Sequence, residues 1–266
     1  MLSWRRGKCG KNGMSAASRR GPRVVIDFHS HVLPKMDDGS KSVEMTLEML
    51  RTERGMGVDI VAATPHFYGY RESLDSFLAR REHAWGRLLE AGSSVPRGEL
   101  PAVVAGAEVA FFSGLTEMDG LDALCINGTK TLLLEMPFAP WTGYELNAVS
   151  SLCLDRGYHV VLAHLERFYE LQTDEHLMEE LLALPLWVQI NAETVLPLLH
   201  RKRWIEMFRA GEAHLLGSDC HNMTRRPPNL GAARAILARK AGQDVLTRID
   251  ELGARLLGLD APGGAS

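Results

Sequence analysis

The chain alternates short apolar runs with amphipathic stretches over most of its length. Residues 24–28 are β-branched or aromatic apart from Asp27. A near-continuous run of this kind suits a parallel strand covered on both faces. Pro34 and Asp37-Asp38-Gly39 then mark a loop. Ser40 or Ser42 caps a helix with Val43, Leu47 and Leu50 toward the core, and Gly55 and Gly57 end it. The cycle repeats: 58–63, 102–107, 131–134, 158–163, 186–190 and 213–218 read as further strands. Helical spacing fills gaps between them, over about 73–91, about 143–156 and around Trp204, Ile205 and Phe208, and two more helices close the chain. Seven apolar strands alternating with helices predict a parallel α/β fold.

The strand ends carry the chemistry. The first strand runs into His29 and His31, which project to the same side because residues two apart in a strand share a face. The second runs into Thr64-Pro65-His66, the third into Glu108 and the fourth into Glu135. The fifth ends in His164, with Glu166 and Arg167 just beyond; the sixth ends in Asn191 and the seventh in Asp219 and His221. Polar groups at the ends of so many strands favour a closed, TIM-like barrel, whose C-terminal mouth gathers them around one point. An open doubly wound sheet would concentrate them at one switch point. Seven strands rather than eight predict an irregular barrel. No Gly-x-Gly-x-x-Gly or Walker loop supports a nucleotide fold.

Taken singly, these residues have ordinary structural explanations: His66 as a satisfied core histidine, Glu108 and Glu135 as partners of arginines. Taken together, so many titratable groups at one mouth would be costly without cations. Histidine and carboxylate donors without thiolate suit manganese, iron or zinc. The eight candidates (His29, His31, His66, Glu108, Glu135, His164, Asp219 and His221) exceed one tetrahedral shell. Two or three divalent ions sharing bridging carboxylates are therefore expected. Asp37 and Asp38 follow the first histidines closely enough that one of them could reach the same pocket.

Composition narrows the classes. At 266 residues, 45% hydrophobic and 24% charged, the chain is ordinary for a globular protein. The net charge of −3 gives no pull toward nucleic acid or anionic membrane. No apolar run approaches the roughly 20 residues of a membrane span. Cys9, Cys125, Cys153 and Cys220 form no Cys-x-x-Cys pair, which argues against a disulfide framework or a thiolate zinc site and fits a reducing cytoplasm. Residues 1–23 are basic and carry no acid. They are expected to be a disordered leader, or to precede a true start at Met14. The barrel domain is expected over 24–258 and a flexible tail over 259–266.

The motifs HSHVLPKMDDG, AATPHF, GAEV, LLLEMPF, AHLERF, QINA and SDCHNMTRRPP resemble the PHP (polymerase and histidinol phosphatase) superfamily. Within it they are closest to the bacterial tyrosine-protein phosphatases that regulate capsular and extracellular polysaccharide synthesis. The resemblance spans about residues 24–258. It implies the PHP fold, and a metal-bridging hydroxide that attacks the phosphorus of phosphotyrosine in line. It implies that His29, His31, Glu108 and Asp219 hold one metal, and that His66, Glu135, His164 and His221 complete the others, with Glu108 bridging. Asp38 is a weaker ligand candidate. Arg167 and Arg226 match the phosphate-binding arginines, a task suited to planar guanidinium. A tyrosine leaves with a pKa of about 10, so a metal or His66 suffices to assist it. The implied substrate is a phosphotyrosine protein, a tyrosine kinase of polysaccharide export; a homo-oligomer stays open. The leader departs from the family pattern.

Three other readings compete. One is a small-molecule phosphoesterase of the histidinol-phosphate type. Another is a catalytically silent metal-binding regulatory module. The third takes Cys220 to Arg226 as the Cys-x5-Arg of a thiolate phosphatase. That chemistry needs a loop of free backbone N–H groups around phosphate. Here the intervening residues lack glycine and Pro227-Pro228 follow directly, so Cys220 is expected to point away from the site.

Overall fold

The computed structural model describes residues 23–199 and 201–259. The expected leader, apart from Arg23, and residues 260–266 of the expected tail lie outside these. The order begins β1 (Ile26–Ser30), α1 (Val43–Gly55), β2 (Ile60–Ala63), β3 (His66–Phe67), α2 (Leu74–Gly92), β4 (Ala102–Ala105) and β5 (Glu108–Ala110). It continues with β6 (Thr131–Glu135), α3 (Gly143–Leu154), β7 (His159–Leu162), α4 (Glu166–Tyr169), α5 (Glu175–Ala183) and β8 (Trp187–Asn191). It ends with α6 (Arg201–Ala210), β9 (Leu215–Gly217), α7 (Leu230–Lys240) and α8 (Gln243–Leu256).

Every strand pairing is parallel, in the orders β1-β2-β4 and β3-β5-β6-β7-β8-β9. The second sheet curls back to β1 through a single bridge, Ser30 to Cys220. There the Asp219 N–H donates to the His29 carbonyl at 2.7 Å and the His31 N–H to the Cys220 carbonyl at 2.9 Å. The result is the irregular barrel expected, distorted and only partly closed.

The second and third expected strands end at Ala63 and Ala105, and each is followed by a short further strand, β3 and β5. Pro65 carries no N–H and cannot continue a ladder. The Gly106 N–H instead donates to the Ala63 carbonyl (2.9 Å) and the Glu108 N–H to the Pro65 carbonyl (3.0 Å), so the pairing carries on past the break. The offset brings His66 directly opposite Glu108 in the β3–β5 register.

An inner apolar group, including Ile26, Phe28, Leu133, Val161 and Leu215, packs against Leu252 and Leu256 of α8. A larger core lies with the other helices. Ser42 caps α1 by accepting from the Met45 N–H. The buried face of α1 is Thr46, Met49, Leu50 and Glu53. Val43 and Leu47 are only half-buried, a rotation from the expected face. The cause is polar: the Thr46 hydroxyl donates to the Val32 carbonyl at 2.6 Å, tying α1 to the loop after β1. Among the described residues no helix is long and apolar enough to cross a membrane.

Behind the β1–β9 seam lies a buried polar group. Asp27 accepts from the Ser218 N–H (2.8 Å) and hydroxyl (2.5 Å). Glu53 of α1 and Cys220 stand beside it, with donor atoms of all three within 4.8 Å. Both Glu53 oxygens are buried without a hydrogen-bond partner. Burial, then the Asp27 charge, raises the Glu53 carboxyl well above its ordinary value. An acid with a raised pKa in the fold keeps its proton where the unfolded chain has lost it. Stability therefore falls as pH rises above the unfolded value of about 4.3. Glu53→Gln is expected to flatten this slope and be the more stable protein at pH 8 by about 1 kcal/mol or more. Urea unfolding at pH 5 and pH 8 measures it; a parallel slope for both proteins would contradict the assignment.

Candidate metal centre

The β1 end places two imidazoles in a fully buried position, and glycines let other segments close on them. A Cβ on Gly39 would lie 2.3 Å from the His31 carbonyl oxygen, and one on Gly217 would lie 2.6 Å from the His29 Cβ. No side chain fits at either point, so the Asp-Asp-Gly loop and β9 can pack directly on the histidines. His164 (φ 31°) and Asp219 (φ 52°) adopt left-handed backbone, rare for residues with a Cβ. Strain of this kind persists where surroundings over-determine it, often at functional sites. Here it turns two strand-end side chains into one point.

All eight metal candidates meet at the mouth. Glu108 Oε2 lies 3.2 Å from both His29 Nε2 and His31 Nε2, and 2.8 Å from His66 Nδ1. Asp219 Oδ1 lies 3.7 Å from His29 Nε2 and 3.4 Å from His31 Nε2. Two donors on one ion, each about 2.1 Å from it, stand roughly 3.0–3.4 Å apart. The observed spacing is that of ligands around a shared centre. Glu108 Oε2 nevertheless accepts no hydrogen bond despite being buried, and neither does His66 Nδ1 engage in one. Two buried polar atoms left without hydrogen bonds in the midst of other donors fit a cation.

The other Glu108 oxygen faces a second group. His164 Nε2 lies 2.7 Å from Oε1 and 3.5 Å from Glu135. A third group joins His31, His66 and His221 to Asp38, whose Oδ1 lies 3.6 Å from His66 Nε2 and 3.4 Å from His221 Nε2. Asp38 thus stands with the donor set. Asp37 has a different part: its carboxylate takes His31 Nδ1 at 2.7 Å, orienting that ring, and accepts the backbone N–H of His66 at 2.9 Å, fixing the start of β3.

The electrostatics follow from this crowding. Burial opposes the Glu108 charge, but the His29 and His66 imidazoles hold its carboxyl well below the ordinary value. Asp219 is held down in the same way, His29 outweighing burial with help from His31 and Arg167. Burial, then the Glu108 charge, pushes Glu135 up to about 7. Burial and His31 push His221 down to about 4. His29 and His31 are raised against burial, chiefly by Glu108 for the first and Asp37 for the second. Those imidazole protons do the neutralising that a divalent cation would do.

Both expected arginines reach the centre. Arg167 Nη2 lies 2.6 Å from Asp219 Oδ2, and Arg226 pairs with the same oxygen. Each remains about a quarter exposed, at 27%. Cys220, fully buried behind the seam, does point away as expected. Its thiol is pushed well above the ordinary value by burial and then by Glu53 and Asp27.

Two supports have no metal-ligand signature in the sequence. Gln189 Oε1 lies 3.1 Å from His29 Nδ1 and accepts the His164 N–H at 2.9 Å. Gln189 donates to Asn191 Oδ1, and Asn191 donates to Asp219 Oδ2. The available signal was a polar residue at alternate positions in an otherwise apolar strand, two before its end.

The fold and site define a parallel α/β barrel protein with a histidine and carboxylate centre suited to more than one cation. The chain belongs to the capsular polysaccharide synthesis family CpsB/CapC, which it matches over residues 25–254. It is 27% identical over 231 residues to the tyrosine-protein phosphatase CpsB of Streptococcus agalactiae, covering 83% of this chain and 92% of that one. It is 28% identical over 240 residues to the tyrosine-protein phosphatase YwqE of Bacillus subtilis, covering 88% and 91%. A solved chain from the pair YwqE of Bacillus subtilis and CpsB of Streptococcus pneumoniae, described as metal-dependent tyrosine phosphatases, superposes with a TM-score of 0.72. That match is at 25% identity and covers 89% of this chain and 96% of the other.

A ligand that binds only the folded state stabilises it, by about 2.7 kcal/mol at a hundred times its Kd. Added manganese or zinc should raise the thermal midpoint and chelator should lower it. Glu108→Gln should abolish most of that response, because it removes charge from the carboxylate shared by two groups. An unchanged response in Glu108→Gln would place the cations elsewhere.

Proposed function

We propose that this chain is a metal-dependent protein-tyrosine phosphatase that holds two or three divalent ions, manganese first among them. The observation that carries the reading is the convergence of buried histidines and carboxylates from successive strand ends, with two arginines at their edge. The family membership and the named relatives support it. His29, His31, Glu108 and Asp219 would hold one ion. His66, Glu135, His164 and His221 would hold the others, with Asp38 beside them and Glu108 shared through its two oxygens. Bound there, the ions supply a water acidic enough to act as nucleophile at neutral pH, and positive charge against the phosphoryl oxygens.

The rest is done by the chain. Arg167 and Arg226, anchored on Asp219, present planar guanidinium groups to the equatorial phosphoryl oxygens. Their seat on one carboxylate fixes them before substrate arrives, so little reorganisation is needed. Asn191 and Gln189 fix Asp219 and His29 from below. His66, partly exposed at the mouth, is assigned to the departing oxygen as well as to the ligand set. A phenolate leaves with a pKa of about 10, so the demand on that proton is small. The substrate is a phosphotyrosine protein, with a tyrosine kinase of polysaccharide export as the first candidate. The family's place in capsular polysaccharide synthesis supports that choice. A cytoplasmic site of action suits such a partner, and the free buried thiols Cys125, Cys153 and Cys220 are in keeping with it.

The loop from Cys220 to Arg226 argues against sulfur chemistry. Its amides are already used: the His221 and Asn222 N–H groups donate to the Arg226 carbonyl, and those of Thr224 and Arg225 to Asn222 Oδ1. Too few are left to form a phosphate cradle around a thiolate.

Arg226→Ala is expected to keep full metal content and lose kcat by about 10²-fold, the usual scale for one preorganised charge-stabilising donor. Cys220→Ser is expected to keep turnover of a phosphotyrosine peptide, and chelator to stop it. A dead, metal-replete Cys220→Ser protein would overturn the mechanism. Faster turnover of histidinol phosphate than of the peptide would move the assignment to a small-molecule phosphoesterase.

A further inference from the structure

The loop joining β6 to α3 carries Phe138 three residues beyond Glu135. Its ring is 60% exposed, among the largest apolar exposures on the described chain. The inner side of that ring packs on Phe168, with centroids 4.7 Å apart, and lies at a small angle to the His164 ring 6.5 Å away. Phe168 in turn contacts His164 and Trp141. Phe138 therefore stands on an aromatic base that includes one residue of the metal centre.

The loop is braced. The Trp141 indole N–H donates to the Pro137 carbonyl at 3.0 Å. Gln172 accepts the Trp141 N–H at 2.8 Å and donates to the Ala139 carbonyl at 3.2 Å. Pro137 and Pro140 restrict the backbone on either side. The outer face of this phenyl, on a braced loop at the rim of a polar site, gains nothing from folding alone. Its position suits an aromatic ligand, since offset ring pairs add to simple area burial.

Depth points the same way. The donors beneath are almost fully buried, His29, His31, Glu108 and His164 at 0% and Glu135 at 8%. Phosphate held by Arg167 and Arg226 at the edge faces these donors, and a phenol ring sets it farther from the peptide backbone than a serine or threonine side chain does.

We propose that Phe138 is the specificity-determining residue of this site, its outer face seating the aromatic ring of phosphotyrosine. The proposal rests on the phosphatase reading above for its substrate. Phe138 touches the ring and not the reacting phosphorus, so it acts on binding and selection rather than on chemistry.

The test uses the full chain loaded with manganese and two probes, phenylphosphonate and methylphosphonate, followed by calorimetry. The wild-type protein should bind phenylphosphonate about tenfold or more tightly than methylphosphonate. Phe138→Ala should lose most of that preference, with metal content unchanged. Phe138→Tyr should retain it. Leu154→Ala, which removes an equally exposed apolar side chain at the far end of α3, should behave as wild type. In turnover, Phe138→Ala should raise KM for a phosphotyrosine peptide about tenfold with kcat little changed, and leave the phosphoserine version of the peptide unaffected. A wild-type protein with no preference for the phenyl compound, or a Phe138→Ala protein that keeps it, overturns the proposal. A protein that shows the phenyl preference and its loss but hydrolyses no phosphotyrosine peptide retains the ring seat and fails the phosphatase reading instead.

Discussion

The Glu108 carboxylate is the point on which the rest of the structure depends. It is fully buried and held ionised, which an apolar interior penalises heavily unless partners surround it. Those partners come from three other segments: His29 and His31 at the end of β1, His66 on β3 and His164 after β7. Much of the irregularity of the barrel follows from bringing them together. The break at Pro65 sets His66 opposite Glu108. Left-handed backbone at His164 and Asp219 aims two further side chains inward. Gly39 and Gly217 let the first loop and the last strand press against the histidines. An ordinary barrel with continuous strands would leave these groups stacked along its rim.

Around this carboxylate the site is layered. Donor atoms lie deepest. Behind them Asp37, Gln189 and Asn191 hold rings and carboxylates in orientation, as partners of metal-ligating groups commonly do. Arg167 and Arg226 sit at the edge, both on one oxygen of Asp219. Above the donors, Phe138 stands exposed on a loop fastened by Trp141 and Gln172. Behind the seam, Cys220 is shut away with Asp27 and Glu53. The order from interior to rim is a set of donors suited to cations, then two guanidinium groups suited to an anion, then an aromatic face.

Much of this was legible in the sequence because strand-end side chains are visible without knowing the fold. Period-two alternation placed His29 and His31 together, and repetition of polar strand ends placed the remaining candidates at one mouth. Arg167 and Arg226 came only from the resemblance, since loop arginines carry no periodic signal. The short strands β3 and β5 were hidden because each is only two or three residues long and the break before it depends on how Pro65 and Gly106 meet across the sheet. The buried face of α1 was misplaced because Thr46 and Glu53, both polar, occupy it. Gln189 looked like an ordinary strand residue; its part depends on pairing with His29 from the other end of the chain.

The most direct measurement is a manganese-soaked crystal examined by anomalous scattering. The account predicts at least two peaks at the barrel mouth. One lies within about 2.0–2.3 Å of Glu108 Oε2 and another within that range of Oε1, the bond lengths that oxygen donors give to such ions. Peaks confined to surface carboxylates, with the space around Glu108 featureless in crystals of catalytically active protein, would contradict it.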